Sequence, residues 1–279
     1  HRGKARRASG QREEYTMQKS TVLFAALLAA APLPLLAQTA DAGSRNLAAS
    51  CAMCHGTTGQ AATNEYAALA QVAKQAEMPL FTHIRYSSPG PAGKSSLDAI
   101  DEVLNVARQT GVSLHIDHIP SMATHVMPEA IAKIDAARSE GLDVTGCFYP
   151  YTFWGTYLGS ARFAGDWQSR FRISYNDLQL AGSSERLTPE SFKKYQAQNK
   201  LVVAYAIPQE DVNAALSAPW SLVGSDAIPE SSNNNHPRGA GCFSRLLGPY
   251  VRDMGALSLM DALAKCTILP AKRLDARVP

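Results

Sequence analysis

From Asn64 onward, short apolar runs alternate with amphipathic segments of helical period, and this alternation constrains the fold more than any other feature of the chain. The runs "PLFTHIRY" (79–86), "VSLHIDHI" (112–119), "LDVTGCFYPY" (142–151), "KLVVAYAI" (200–207) and "WSLVGSDA" (220–227) have the length and the β-branched or aromatic content of strands. Between them, "SSLDAIDEVLNVARQTG" (95–111) sets Leu97, Ile100, Leu104 and Ala107 on one helical face and closes on Gly111. "MPEAIAKIDAARSEG" closes on Gly141 in the same way, and "TPESFKKYQAQ" and "EDVNAALSA" continue the pattern. Two closing helices are predicted around "FSRLLGPYVRDMG" and "LSLMDALAKCT". Strands separated by helices pair through crossovers, which makes a parallel sheet. Five such units predict an α/β chain with a TIM-type (β/α) barrel rather than a Rossmann fold, because no G-x-G-x-x-G or phosphate-binding loop follows a strand.

In such barrels the reacting groups stand at the C-terminal ends of the strands. His83 ends the first predicted strand, His118 the second and Asp226 the fifth. Neutral imidazole suits Zn2+, and two histidines on neighbouring strand ends can converge on one ion. A carboxylate across the mouth can take a proton from water and pass it to a leaving amine. Arg85 shares the face of His83 two residues on and is a candidate anion contact, whereas His115 has the opposite parity to His118 and converges with it only if the strand end twists. His125 opens a helix, where it caps or packs, and His236 begins a turn that could line the mouth.

The segments "THIR" (82–85), "HIDHIP" (115–120), "YPY" (149–151), "GSDA" (224–227), "HPRGAGCFSRLLGPYVRD" (236–253) and "LSLMDALAKCTILPAKRLDA" (257–276) resemble the amidohydrolase superfamily in its N-acyl-D-amino-acid deacylase branch, over about residues 64–279. That resemblance implies a zinc-dependent hydrolase of the amide bond in small N-acyl amino acids. It implies His83 and His118 as zinc ligands, Asp226 as the catalytic acid/base, and Arg238 as the contact for the substrate carboxylate, with Tyr151 helping. A planar guanidinium matches a carboxylate in bidentate fashion, which fits the role given to Arg238. Family members open their barrel with an H-x-H or H-x-D strand and a bridging ligand, and close with a small β-sandwich; neither is found in this sequence. The expectation is therefore a partial barrel (63–279) lacking about two of eight strands, with activity impaired to the extent that three protein ligands are needed for a catalytic zinc.

The segments before residue 63 read differently. Residues 1–16 lack apolar periodicity and are expected to be a disordered leader. From Met17 a short cationic start, the apolar run Val22–Leu36 and the small residues Ala40-Asp41-Ala42 predict a secretory signal peptide over 17–42, hence a periplasmic or secreted protein. Pro32 and Pro34 interrupt a run already short for a membrane span, so no stable span is expected after cleavage. "CAMCHG" (51–56) has the C-x-x-C-H pattern of c-type haem attachment, and 43–62 resembles the start of a class I cytochrome c, with Cys51, Cys54 and His55 as the haem-binding set. An exported cytochrome fragment binding haem c is thus the alternative function, and the switch near residue 60 suggests a spliced or misassembled reading frame. The remaining cysteines, Cys147, Cys242 and Cys266, are expected as buried free thiols. A net charge of +3, concentrated in "HRGKARR", leaves no basic stripe for nucleic acid.

Overall fold

A parallel sheet and an antiparallel one divide the strands of the protein between them. The computed structural model describes residues 63–87, 93–228 and 236–274, so the predicted leader, signal peptide and C-x-x-C-H motif lie outside the described residues. The chain enters on α1 (Thr63–Gln75) and continues through β1 (Leu80–Thr82), α2 (Ser96–Thr110), β2 (Leu114–Ile116), a short α3 (Ile119–Met122), α4 (Met127–Ser139) and β3 (Val144–Phe148). After an excursion it returns by α7 (Gln209–Ser217) to β7 (Ser221–Val223). These four strands form one parallel sheet in the order β1-β2-β3-β7.

Local chemistry explains the flanking helices. Ser95 caps α2 through a reciprocal box with Asp98, a device worth about 1 kcal/mol. Gly111 ends the same helix at φ 67°, a left-handed position that a glycine adopts without steric cost. The predicted face of α2 is the one that packs: Ile100, Leu104 and Ala107 are buried and Leu97 is partly so. In β3 burial alternates, with Val144, Gly146 and Phe148 inside and Thr145 and Cys147 on the other face. That second face is the wall of the cavity described below.

The excursion between β3 and β7 departs from expectation. "KLVVAYAI" yields β6 (Leu201–Ala204), which pairs antiparallel with β4 (Trp154–Tyr157) and β5 (Leu178–Leu180) in the separate order β4-β6-β5. The parallel sheet therefore holds four strands among the described residues, where the sequence predicts five. All four residues of β6 are buried, so its apolar run satisfies the pattern of a central strand in either kind of sheet. This sheet packs on an aromatic cluster in which Trp154, Phe163, Trp167, Phe171 and Phe192 meet at ring separations of 5.3–5.8 Å. Between β5 and β6 runs α6 (Pro189–Ala197), after the brief α5 (Trp167–Phe171).

The C-terminal part is helical: α8 (Arg238–Arg245), a π-helical stretch over Leu246–Asp253 containing Pro249, α9 (Leu259–Cys266) and α10 (Ile268–Leu274). The first of these begins five residues before the predicted segment. No described helix is long and apolar enough to cross a membrane. Cys147, Cys242 and Cys266 are free thiols; Cys242 is buried and the other two are partly exposed.

Candidate active site

Chain reversals beyond the parallel strands create the site. His83 immediately follows β1, His118 lies two residues beyond β2, and Asp226 three beyond β7. The last two have left-handed backbones, with φ 34° and 46°. Such a conformation costs a residue with a side chain on the order of 1–3 kcal/mol and persists only where the surroundings impose it. For His118 those surroundings include Cys147 Sγ, which accepts its backbone N–H at 3.1 Å. The turn also overrides strand parity: His118 reaches the same cavity wall as His115 and Asp117, which simple alternation would deny it.

Nδ1 of His83 and Nε2 of His118 stand 2.8 Å apart, with the two rings nearly perpendicular at 83°. Two imidazole nitrogens so placed either share a proton or face a common cation. Tetrahedral zinc would set two nitrogens about 3.3 Å apart, so opening the pair by about half an ångström admits the ion. Both rings line a cavity of about 670 Å³, together with Asp117, Cys147, Asp226, Arg85 and Glu102.

Asp226 is held from behind. Nη2 of Arg238 lies 2.9 Å from its Oδ2, and Nε of Arg238 donates to its backbone carbonyl at 2.8 Å. Asp226 shares the cavity with His83 and His118, yet the three do not form a cluster whose ligand atoms all lie within 4.8 Å of one another.

Of the other residues singled out from the sequence, Arg85 lines the cavity, whereas Arg238, Tyr151, His236 and His125 do not. Arg238 is 1% exposed, with its guanidinium 4.6 Å from the Tyr149 ring, and it does not reach the cavity wall. It is a clamp on Asp226, and its Nη1 is buried with no acceptor among the described residues. Tyr151 is also off the wall: its hydroxyl donates to the Pro237 carbonyl at 3.4 Å and its ring meets His236 edge-on. Arg85 does line the cavity, but its guanidinium is committed to Glu102 in a two-point pair, Nε to Oε2 at 2.7 Å and Nη2 to Oε1. His236 does not line the mouth. Its Nδ1 accepts the Arg238 N–H at 3.0 Å, which leaves Nε2 to donate to the Phe153 carbonyl at 2.9 Å. Those two bonds define a neutral imidazole with the proton on Nε2, and burial holds its pKa down at about 3. His125, at φ 68°, donates its N–H to Asp211 and plays no part in the cavity.

Three cavity residues were not singled out from the sequence: Asp117, Cys147 and Glu102. Burial, and then the Asp226 charge, raise the Asp117 carboxyl to about 6. Burial likewise pushes the Cys147 thiol well above its usual value, with the Asp117 charge adding to it. The available signal was the polar pair His115 and Asp117 at spacing two inside an apolar strand, which marks a polar face.

Histidines at the ends of neighbouring parallel strands, with an aspartate fixed at the end of another, are the features of the amidohydrolase superfamily. No family model matches the chain. Curated relatives do: it is 31% identical to N-acyl-D-glutamate deacylase of Alcaligenes xylosoxydans xylosoxydans over 249 residues, covering 85% of this chain and 49% of that protein. D-aminoacylase of the same organism is 30% identical over 201 residues, 69% of this chain and 40% of that one. Among solved structures, the N-acyl-D-glutamate deacylase of Bordetella bronchiseptica, complexed with zinc and a phosphonate inhibitor, superposes with a TM-score of 0.66 at 24% identity, over 81% of this chain and 48% of that one. D-aminoacylase superposes with a TM-score of 0.62 at 22% identity, over 77% and 46%. The chain is a homologue of the N-acyl-D-amino-acid deacylases and spans about half the length of the relatives it matches.

Proposed function

We propose that the four parallel strands and their helices are part of an amidohydrolase (β/α) barrel, and that its mouth hydrolyses the amide bond of small N-acyl-D-amino acids. The observation that carries the reading is the convergence of His83 Nδ1 and His118 Nε2 in a cavity shared with Asp226. The donor set fits zinc: two imidazole nitrogens on adjacent strand ends, within about half an ångström of tetrahedral spacing. Zinc bound there would supply a Lewis acid for the amide carbonyl and a lowered pKa for attacking water.

The chain's own residues do the rest. Asp226 receives the proton of the attacking water on its carboxylate, while Oδ2 stays paired with Arg238, and returns it to the leaving amine nitrogen. Arg238 fixes the carboxylate's position and orientation from behind the cavity wall. The apolar run over residues 22–36 supports export, and with it a periplasmic place of action. Hydrolysis of N-acetyl-D-glutamate and other N-acetyl-D-amino acids by the zinc-supplemented full chain, beside its Asp226→Asn variant, tests the proposal. Turnover that falls about 10²–10⁴-fold in the variant is the expected result; turnover indifferent to Asp226 overturns it.

A further inference from the structure

We propose that His115, Asp117 and Cys147 form a second cation site on the cavity wall, with mixed nitrogen, oxygen and sulfur donors suited to Zn2+ or a similar borderline metal. Parallel register creates it. His115 of β2 lies opposite Thr145 of β3, so Asp117 and Cys147, each two residues further on, come level on the same face. The four side chains make a polar two-by-two patch on an otherwise apolar sheet. The ligand atoms of His115, Asp117 and Cys147 all lie within 4.8 Å of one another, with His115 Nε2 3.9 Å from Asp117 Oδ1. This is the cluster of its kind found among the described residues, and it contains neither His83 nor His118.

The supporting contacts are those a metal ligand needs. Thr145 Oγ1 engages Nδ1 of His115 at 2.7 Å, which turns Nε2 towards Asp117 and fixes the ring. The His118 N–H already donates to Cys147 Sγ, a bond that strengthens when sulfur carries a thiolate. Gly224 backs the thiol: a Cβ there would lie 3.1 Å from Cys147 Sγ, a tight contact that the glycine relieves. Binding displaces one proton from the Cys147 thiol to solvent and forms the metal–sulfur bond. The dication then faces one thiolate, one carboxylate and a neutral imidazole, a net charge of zero that suits a half-buried wall.

This site is independent of the deacylase reading, and one experiment separates them. Co2+ is titrated into the metal-stripped full chain in a Cys51→Ser/Cys54→Ser background, so that the C-x-x-C pair contributes nothing, and thiolate-to-cobalt charge-transfer absorption is followed in the near ultraviolet. The band is expected in the background protein and in a His83→Asn/His118→Asn variant of it, to vanish in Cys147→Ser, and to need at least about tenfold more cobalt in His115→Asn. Absence of the band in the background protein, or its survival in Cys147→Ser, overturns the proposal. Loss of the band in the His83→Asn/His118→Asn variant overturns it too, by assigning Cys147 to the ion held by the histidine pair.

Discussion

Arg238 grips Asp226 at two points, its side-chain Oδ2 and its backbone carbonyl, and thereby holds a residue whose φ of 46° a free chain would rarely adopt. The guanidinium is buried while the carboxylate is about a third exposed, so the pair is screened on one side only. Removing one partner of a buried pair costs about 3–5 kcal/mol, and the exposed carboxylate puts this case at the lower end. Arg238→Ala is expected to lower the unfolding free energy by about 3 kcal/mol in urea titration. Arg238→Lys should recover less than half, because an ammonium cannot reproduce a planar two-point contact. A midpoint unchanged in Arg238→Ala would show that Asp226 is positioned by something else.

His236 makes the HPR turn acid-sensitive. Its folded pKa of about 3 lies below the unfolded value of 6.5, so between those values the unfolded chain binds the extra proton. The stability it contributes is complete above about 6.5 and is lost progressively as pH falls towards 3. His115, held down at about 4 by burial and by Arg273, gives a slope of the same sign. The difference between the parent and His236→Asn isolates the former: stability measured from pH 7 to pH 4 should fall more steeply in the parent. Parallel curves would contradict the neutral-tautomer assignment.

Lys265 works in the opposite pH range. Its buried ammonium donates to the carbonyls of Ala218 and Ser221 and to the Ser221 hydroxyl at 2.6–3.0 Å, tying α9 to the start of β7. Burial lowers its pKa from 10.5 to about 8. Between those values the unfolded chain holds the proton that the folded one releases, so the contribution of this group to stability rises with pH across the window. The parent should gain stability relative to Lys265→Met between pH 8 and pH 10. A difference independent of pH would mean the lysine remains charged in place.

The parts of this architecture that depend on local pattern were legible in the sequence. The cap at Ser95, the glycine stop at Gly111 and the apolar face of α2 follow from spacing alone, and they stand where spacing puts them. Strand ends were legible too, and the three residues expected at them, His83, His118 and Asp226, all line one cavity. Strand partners were not: β6 is as apolar as a barrel strand, and nothing in its four residues distinguishes an antiparallel neighbour from a parallel one. The partners of Arg85 and Arg238 were not legible for a related reason. An arginine near a site is one donor among competing acceptors, and Glu102 and Asp226 meet these two across sequence separations that no motif records. The positive φ at His118 was invisible as well, and it is what brings that ring onto the wall that parity assigns to His115 and Asp117.

The account depends most on His83 and His118 sharing one zinc ion. Residue-resolved ¹⁵N NMR of the imidazole nitrogens during Zn2+ titration reads this directly and distinguishes the pair from every other histidine. The predicted result is a concerted shift of His83 Nδ1 and His118 Nε2 that is complete at one equivalent, with the His118 response lost in His83→Asn. Zinc that saturates the protein while leaving either of those two nitrogens unshifted would contradict it.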